Sequence, residues 1–202
     1  MENMSQSSNE PLQPFIPDGQ PALLLVDIQQ GFEDQAYWGG GRNHPDAEKN
    51  AARLLEVWRS HGFPVIHVKH NSVLPQSPLA SGKVGNEIQT VVQPKEGEPV
   101  IGKTVNSAFI GTGLEQRLHN QGIRQLVVVG LTTDQCVSTT VRMAGNLGFD
   151  TYVVNDATAT FPKTGFDGKH YSAETIHETA LASLNEEFAT VLNTEDIMKT
   201  FI

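Results

Sequence analysis

Residues 125–141 read QLVVVGLTTDQCVSTTV and hold the strand and the reactive group around which the chain is organised. Residues 126–129 form a short unbroken apolar run, typical of a strand buried on both faces of a parallel sheet. Gly130 ends the run, and each of residues 132–134 can cap a helix. Cys136, the only cysteine in 202 residues, is therefore predicted in the first turn of a helix at a strand's carboxyl end. Because helix N-termini favour anions, we expect its thiol pKa to be lowered.

Short apolar runs alternate with helical spacing along the rest of the chain. A strand at residues 22–28 includes Asp27, and a strand at residues 99–101 runs into Lys103. Strands alternating with helices predict an α/β fold, a three-layer αβα sandwich whose mostly parallel sheet has about six strands. Ligands gather at the carboxyl ends of such strands, so Asp27, Lys103 and Cys136 are expected at one edge. Further strands are predicted at residues 64–68, 126–129, 152–154 and 188–192, and helices at residues 46–61, 114–120, 136–147, 173–184 and 196–201.

Composition and length bound the domain organisation. Residues 1–18 are predicted to be a flexible N-terminal tail, and residues 19–202 a single domain. No run approaches the ~18 apolar residues of a membrane helix, and the polar N-terminus lacks the pattern of a signal peptide. One cysteine predicts a reducing, cytoplasmic location. A net charge of -9 argues against nucleic acids and anionic membranes as partners.

The three strand-end side chains fit the requirements of acyl transfer. Cys136 can act as the nucleophile. Asp27, at the end of a buried strand, is expected to have a raised pKa, so it can take the thiol proton and return it to a leaving amine. Lys103 supplies a cation that favours both the thiolate and the carboxylate. Taken singly, these residues could equally be a buried small hydrophobe, a polar strand end and a solvated surface lysine.

Three segments in the same order resemble the isochorismatase-like cysteine hydrolase superfamily, which includes nicotinamidases and N-carbamoylsarcosine amidohydrolase. They read LLLVDIQQGF, PVIGKTVNSAF and VVVGLTTDQCVSTTVRMAGNLGFDTYVVNDATATF, and the resemblance covers residues 21–192. It implies Cys136 as nucleophile, Asp27 as general acid/base and Lys103 as the third member. It also implies an oxyanion hole from the backbone N–H groups of Thr132 and Cys136, arranged by a cis peptide between Leu131 and Thr132, and assembly as a homodimer or homotetramer.

Two departures from the family pattern narrow the expected chemistry. Isochorismatases that cleave a vinyl ether commonly lack the cysteine, so Cys136 indicates C–N bonds of amides or ureides. Nicotinamidases bind a metal through an Asp and several His after the second strand, where this chain reads VKHNSV. His70 stands about where that Asp would be, and no His follows at short spacing. We therefore predict no catalytic metal and no cofactor.

Residues 97–104, GEPVIGKT, also fit the P-loop pattern of nucleotide hydrolases. That pattern requires a flexible loop inside the motif and a helix directly after its lysine. Here Pro99, Val100 and Ile101 predict a stiff strand inside it, and residues 104–113 make a poor helix. The local sequence therefore disfavours nucleotide hydrolysis, which is kept as an alternative.

Aromatic and polar residues in the loops that could overhang Cys136 are candidates for the substrate pocket. These are Phe32, Trp38, Asn71, Phe109 and Phe161, together with Tyr37 and Tyr171. Arg42 could bind a substrate carboxylate or be a solvated surface residue, and His177 and Glu178 are expected on a solvated helix face. The sequence thus predicts a hydrolase of small amides or ureides that acts through a Cys136 thioester. The alternative is a catalytically idle binding or regulatory relative of the fold.

Overall fold

The computed structural model describes residues 15–201, which form a six-stranded parallel sheet with helices on both faces. The strands are β1 (Ala22–Val26), β2 (Val65–His70), β3 (Val100–Lys103), β4 (Gln125–Leu131), β5 (Asp150–Ala159), β6 (Lys163–Thr164), β7 (His170–Tyr171) and β8 (Thr190–Leu192). The helices are α1 (Ala47–Ser60), α2 (Leu114–Asn120), α3 (Ser138–Asn146), α4 (Ala173–Ala182) and α5 (Thr194–Met198). The sheet order is β3-β2-β1-β4-β5-β8, and β6 and β7 form a small antiparallel pair. The predicted α/β class and sheet are confirmed.

Both faces of the sheet are covered, which explains why its central strands are continuous apolar runs. Every residue of β1 and β4 is buried. Leu24 packs in a core with side chains of α2, α3 and α4, whereas Leu23 and Leu25 pack in a second core with α1 and α5. The alternation of side chains along β1 therefore separates the two helical layers.

The register of the sheet brings the carboxyl ends of the central strands together. Val26 pairs with Val68 on one side and Gly130 on the other, and His70 pairs with Lys103. Gly130 has a φ of 126°, and a Cβ there would lie 1.9 Å from the Val26 carbonyl oxygen. Only glycine permits this approach of β4 to β1.

Phe15 packs on the domain rather than belonging to the predicted flexible tail. Phe15 is 1% exposed, and its ring centroid lies 5.0 Å from that of Tyr152 and 6.1 Å from that of Trp58. Burial of an aromatic ring stabilises this attachment. The rest of the predicted tail, residues 1–14, lies outside the described residues.

The P-loop interpretation of residues 97–104 is wrong. The interior of the motif is strand β3, and the next helix, α2, begins only at Leu114. The Lys103 side chain is fully buried and so cannot receive nucleotide phosphates.

None of the helices in residues 15–201 combines the length and apolar character needed to cross a bilayer.

Candidate active site

The side chains of Asp27, Lys103 and Cys136 meet at the carboxyl edge of the sheet. Asp27 follows β1, Lys103 is the last residue of β3, and Cys136 lies in the turn after β4. Lys103 Nζ donates to Asp27 Oδ2 at 2.6 Å and to Cys136 Sγ at 3.3 Å. Asp27 and Lys103 side chains are fully buried, and Cys136 is 9% exposed. Lys103 is 76 positions from Asp27 and 33 positions from Cys136 in the chain, yet the three side chains form one hydrogen-bonded group.

His70 is a fourth member of this group that the sequence analysis did not identify as such. It ends β2 beside Lys103, and its Nδ1 lies 3.1 Å from Lys103 Nζ. Burial, and then the charge of Lys103, lowers the pKa of His70 to about 4. The ring is therefore neutral near pH 7, and Nδ1 accepts a hydrogen bond. Asp27, Cys136 and His70 together provide one acceptor for each N–H of the ammonium.

Three of these side chains carry atoms that can bind a metal ion. Ligand atoms of Asp27, His70 and Cys136 all lie within 4.8 Å of one another. Lys103 Nζ is hydrogen-bonded to each of them, so a covalently attached cation stands at their centre. A divalent metal would have to displace this ammonium from a buried ion pair, and the residues do not fit one in this arrangement. The absence of a metal from the reaction stays a prediction.

Protonation at the site differs from the expectation of a stabilised thiolate. Burial, and then the nearby charge of Asp27, raises the pKa of the Cys136 thiol to about 12, and Lys103 opposes this rise only in part. The expected lowered pKa is wrong because the sulfur is withdrawn from water. Burial also raises the pKa of Asp27, against the opposing effect of Lys103. Asp27 Oδ1 is buried and has no hydrogen-bond partner within residues 15–201, so it can still accept a proton.

The turn that carries Cys136 also presents a backbone donor, the Thr132 amide. We call residues 132–137 the nucleophile turn; its π-helical segment Thr133–Val137 leads directly into α3. The Thr132 carbonyl accepts from the amides of Gln135 and Val137, whereas the Thr132 amide donates to no backbone or side-chain acceptor in residues 15–201. The expected cis peptide between Leu131 and Thr132 is present. The oxyanion role of the Thr132 and Cys136 amides stays a prediction.

His177 is buried instead of solvated, and it contacts the nucleophile turn. It is 1% exposed, and its Nδ1 lies 2.8 Å from Thr133 Oγ1. Its Nε2 lies 2.8 Å from Asn155 Oδ1. The expectation of a solvated face is wrong for His177, because the side chain of this α4 residue turns toward the end of β4, whereas Glu178 is exposed as expected. Both hydrogen-bond partners of His177, Thr133 and Asn155, lie outside its own helix, so the sequence near His177 did not indicate them.

The candidate pocket residues form one stacked group of three and two separate residues. The rings of Phe32, Trp38 and Phe161 stack with centroid distances of 4.8, 5.9 and 6.2 Å and share an apolar cluster with Leu131. Phe109 belongs to the apolar cluster that contains Cys136. Asn71 is half-buried and accepts a hydrogen bond from Asn86. Contact of these side chains with substrate stays a prediction.

Arg42 does not offer a free guanidinium to a substrate carboxylate. Its side chain is 11% exposed and forms a two-pronged ion pair with Glu48. The interpretation as a solvated surface residue is wrong, because α1 supplies this partner six residues later. Contact of Arg42 with a substrate carboxylate stays a prediction.

Comparisons with known proteins identify the family and agree with the α/β fold. Residues 21–196 match the isochorismatase domain family. The uncharacterized isochorismatase family protein YrdC of Bacillus subtilis is 46% identical over 181 residues, covering 90% of this chain and 96% of that protein. The crystal structure of an isochorismatase-family protein from Chromobacterium violaceum is 44% identical, with a TM-score of 0.88, and covers 93% of this chain and 97% of that one. Maleamate amidohydrolase of Pseudomonas putida is 28% identical over 193 residues, covering 89% of this chain and 85% of that enzyme.

Proposed function

Because the chain belongs to the isochorismatase family of hydrolases, we propose that it is a cysteine-dependent amidohydrolase that cleaves a C–N bond of a small carboxamide or ureide. One observation carries the proposal: the Lys103 ammonium is hydrogen-bonded to both the Asp27 carboxylate and the Cys136 sulfur in a buried site. The relative named maleamate amidohydrolase supports C–N bonds as the target.

The first half of the reaction forms a thioester. Cys136 Sγ attacks the substrate carbonyl carbon while its proton passes to Asp27, whose Oδ1 is free to accept it. Negative charge moves to the carbonyl oxygen, where the N–H groups of Thr132 and Cys136 stabilise it. The C–N bond then breaks, Asp27 returns the proton to the leaving nitrogen, and ammonia or an amine departs.

The second half of the reaction frees the enzyme. Asp27, again ionised, takes a proton from water, and the resulting hydroxide attacks the thioester carbonyl. The tetrahedral intermediate expels the Cys136 sulfur, which regains its proton from Asp27. The Lys103 side chain is hydrogen-bonded to both partners and stabilises whichever of them carries the negative charge.

The raised pKa of Cys136 favours proton transfer during attack over a stored thiolate. A thiol with a pKa of about 12 is protonated at neutral pH, so a nearby base must take its proton. Asp27 provides this base within 4.8 Å of the sulfur. A protonated resting thiol also protects an otherwise reactive site from oxidants, since the thiolate is the nucleophilic form.

Ammonia release tests the proposal directly. Purified protein would be incubated with nicotinamide, carbamoyl amino acids, biuret and maleamate, and ammonia would be quantified. Rapid quenching followed by intact-mass measurement would then reveal acylated enzyme on the best substrate. We expect ammonia from at least one compound and an acyl adduct that maps to Cys136. Ammonia release with an adduct on another residue, or none from any of these or related amides, would contradict the proposal.

A further inference from the structure

A buried network outside the catalytic group holds the nucleophile turn. Thr133 is fully buried, and its hydroxyl lies 2.8 Å from Nδ1 of His177, which is 44 residues further along the chain on α4. His177 Nε2 lies 2.8 Å from Asn155 Oδ1, and Asn155 Nδ2 donates to Asn193 Oδ1 at 2.8 Å. The last bond assigns Oδ1 of Asn155 as an acceptor, so Nε2 of His177 carries the hydrogen. Nδ1 therefore accepts the hydrogen of the Thr133 hydroxyl.

The adjacent residue of the turn is held from a different direction. Asp134 accepts hydrogen bonds from Thr160, just after β5, and from the ammonium of Lys163 on β6. Consecutive residues of the turn are thus attached to α4 on one side and to the segment after β5 on the other. Rotation of the Thr132 and Thr133 peptide groups would break one of these attachments.

We propose that His177 is a positioning residue for hydrolysis: through the Thr133 hydroxyl, it orients the nucleophile turn, whose backbone N–H groups donate to the oxyanion. This inference rests on the proposed function. An oxyanion hole requires its donors in place before the charge develops, and misplacement by about 1 Å can cost about 100-fold in rate.

The chemistry of the pair favours orientation over simple filling of space. Burial lowers the pKa of His177 to about 4, so the ring is neutral and its Nδ1 lone pair is available near pH 7. The His44 ring, 4.5 Å away, further disfavours a positive charge there, and Asp134 acts in the opposite sense. An apolar pair of the same shape would fill this space at little cost in stability. Only a directional bond constrains how the turn is rotated.

Substitution of Thr133 separates orientation from packing. Thr133→Val removes the hydroxyl and keeps the shape, whereas Thr133→Ser keeps the hydroxyl. The matched control is Thr151→Val, because Thr151 lies on β5 and is also buried, but its hydroxyl donates to the Phe149 carbonyl. We expect Thr133→Val to lower kcat about 10-fold or more with KM changed less than about 2-fold. Thr133→Ser should stay within about 3-fold of the wild-type kcat, and Thr151→Val should leave kcat unchanged.

His177→Leu and the double variant complete the cycle. If His177 acts through Thr133, the double variant should lose no more kcat than Thr133→Val alone. If His177→Leu does not fold, Thr133→Val and Thr133→Ser decide the matter by themselves. Wild-type kcat in Thr133→Val, or equal losses in Thr133→Val and Thr151→Val, would overturn the proposal.

A measurement without substrate keeps this inference separate from the proposed function. The ¹⁵N–¹H resonances of the Thr132 and Cys136 amides report the geometry of the turn. They should shift in Thr133→Val, return toward wild type in Thr133→Ser and stay in place in Thr151→Val. Unshifted amides in Thr133→Val would overturn the inference even if the protein hydrolyses amides. Failure of the proposed function would instead appear as a wild-type protein that releases no ammonia.

Discussion

Lys103 Nζ lies 2.6 Å from Asp27 Oδ2, and neither side chain is exposed to solvent. Two fully buried charges are tolerated here because each compensates the other. The geometry leaves Asp27 Oδ1 without a partner in residues 15–201, and it places a fixed positive charge against Cys136 Sγ. A proton acceptor and a charge stabiliser therefore lie beside the sulfur of the only cysteine in the sequence.

Removal of Lys103 should destabilise the protein because Asp27 would remain buried without its counter-charge. We expect Lys103→Met to lower the free energy of unfolding by about 3 kcal/mol near pH 7. Asp27→Asn combined with Lys103→Met should recover much of this loss and remain inactive. Urea denaturation measures the effect, with Arg53→Met as the control at an exposed ion pair with Glu195. Equal stability of Lys103→Met and Arg53→Met would contradict the account.

Asp27→Asn should make the Cys136 thiol more reactive while abolishing hydrolysis. The charge and hydrogen bond of Asp27 raise the pKa of the thiol, and Lys103 lowers it. Removing the charge of Asp27 leaves only burial to oppose Lys103, so the pKa of the thiol should fall. Iodoacetamide labelling at about pH 8 should accelerate about 10-fold for each unit by which the pKa falls. Asp167→Asn, an exposed loop substitution, should label like wild type, and slower labelling of Asp27→Asn would count against the assigned roles.

Stability should decline on mild acidification through the half-buried His70 and the buried His177. Burial lowers the pKa of His70 and His177 from 6.5 to about 4 in the folded protein. Between those values the unfolded chain binds protons that the folded chain does not, so the free energy of unfolding falls as pH falls. Their contribution is fully present above about pH 6.5 and is lost progressively toward about pH 4.

Urea midpoints measured from about pH 7.5 to about pH 4.5 test this expectation. His177→Leu should show a shallower decline than wild type over this window. His119→Gln, a substitution at an exposed histidine, should follow the wild-type curve. A wild-type midpoint that is the same at both ends would show that neither histidine resists protonation in the folded state.

Loss of the His70 ring should impair the reaction through Lys103. His70→Ala removes the acceptor of one ammonium N–H in a dry site, and a hydrogen bond to a charged group contributes about 1.5–3 kcal/mol, so we expect kcat to fall about 10- to 100-fold. His70→Asn can place an oxygen near the position of Nδ1 and should retain more activity. The control is Lys69→Ala, because Lys69 precedes His70 in the chain but its side chain pairs with Glu87 instead of Lys103. Unchanged kcat in His70→Ala would remove His70 from the catalytic group.

The candidate site was predicted from the sequence mainly through the positions of the strand ends. Parallel strands end at one edge, so Asp27, Lys103 and Cys136 could be placed together from local apolar runs alone. The direction of the His70 ring could not be inferred, because VKHNSV gives no indication of which neighbour lies across β2. The thiol pKa was predicted with the wrong sign because the depth of Cys136 depends on packing by distant segments, whereas the helix-terminus argument uses only local sequence.

Other differences have the same physical origin. Phe15 is one aromatic residue in a polar segment, and its partners Trp58, Tyr152 and Phe201 come from distant parts of the chain. His177 lies on a helix with polar neighbours, and only the approach of α4 to the end of β4 buries it. Contacts between residues far apart in the sequence decided each of these cases.

Turnover by Cys136→Ala tests the central claim most directly. The variant would be assayed for ammonia release with the substrate that the wild-type protein hydrolyses fastest, after its fold had been verified by circular dichroism. Because the thioester cannot form without the sulfur, we predict a loss of kcat of about 10⁴-fold or more. A folded Cys136→Ala protein that hydrolyses the substrate within about 10-fold of the wild-type rate would contradict the account.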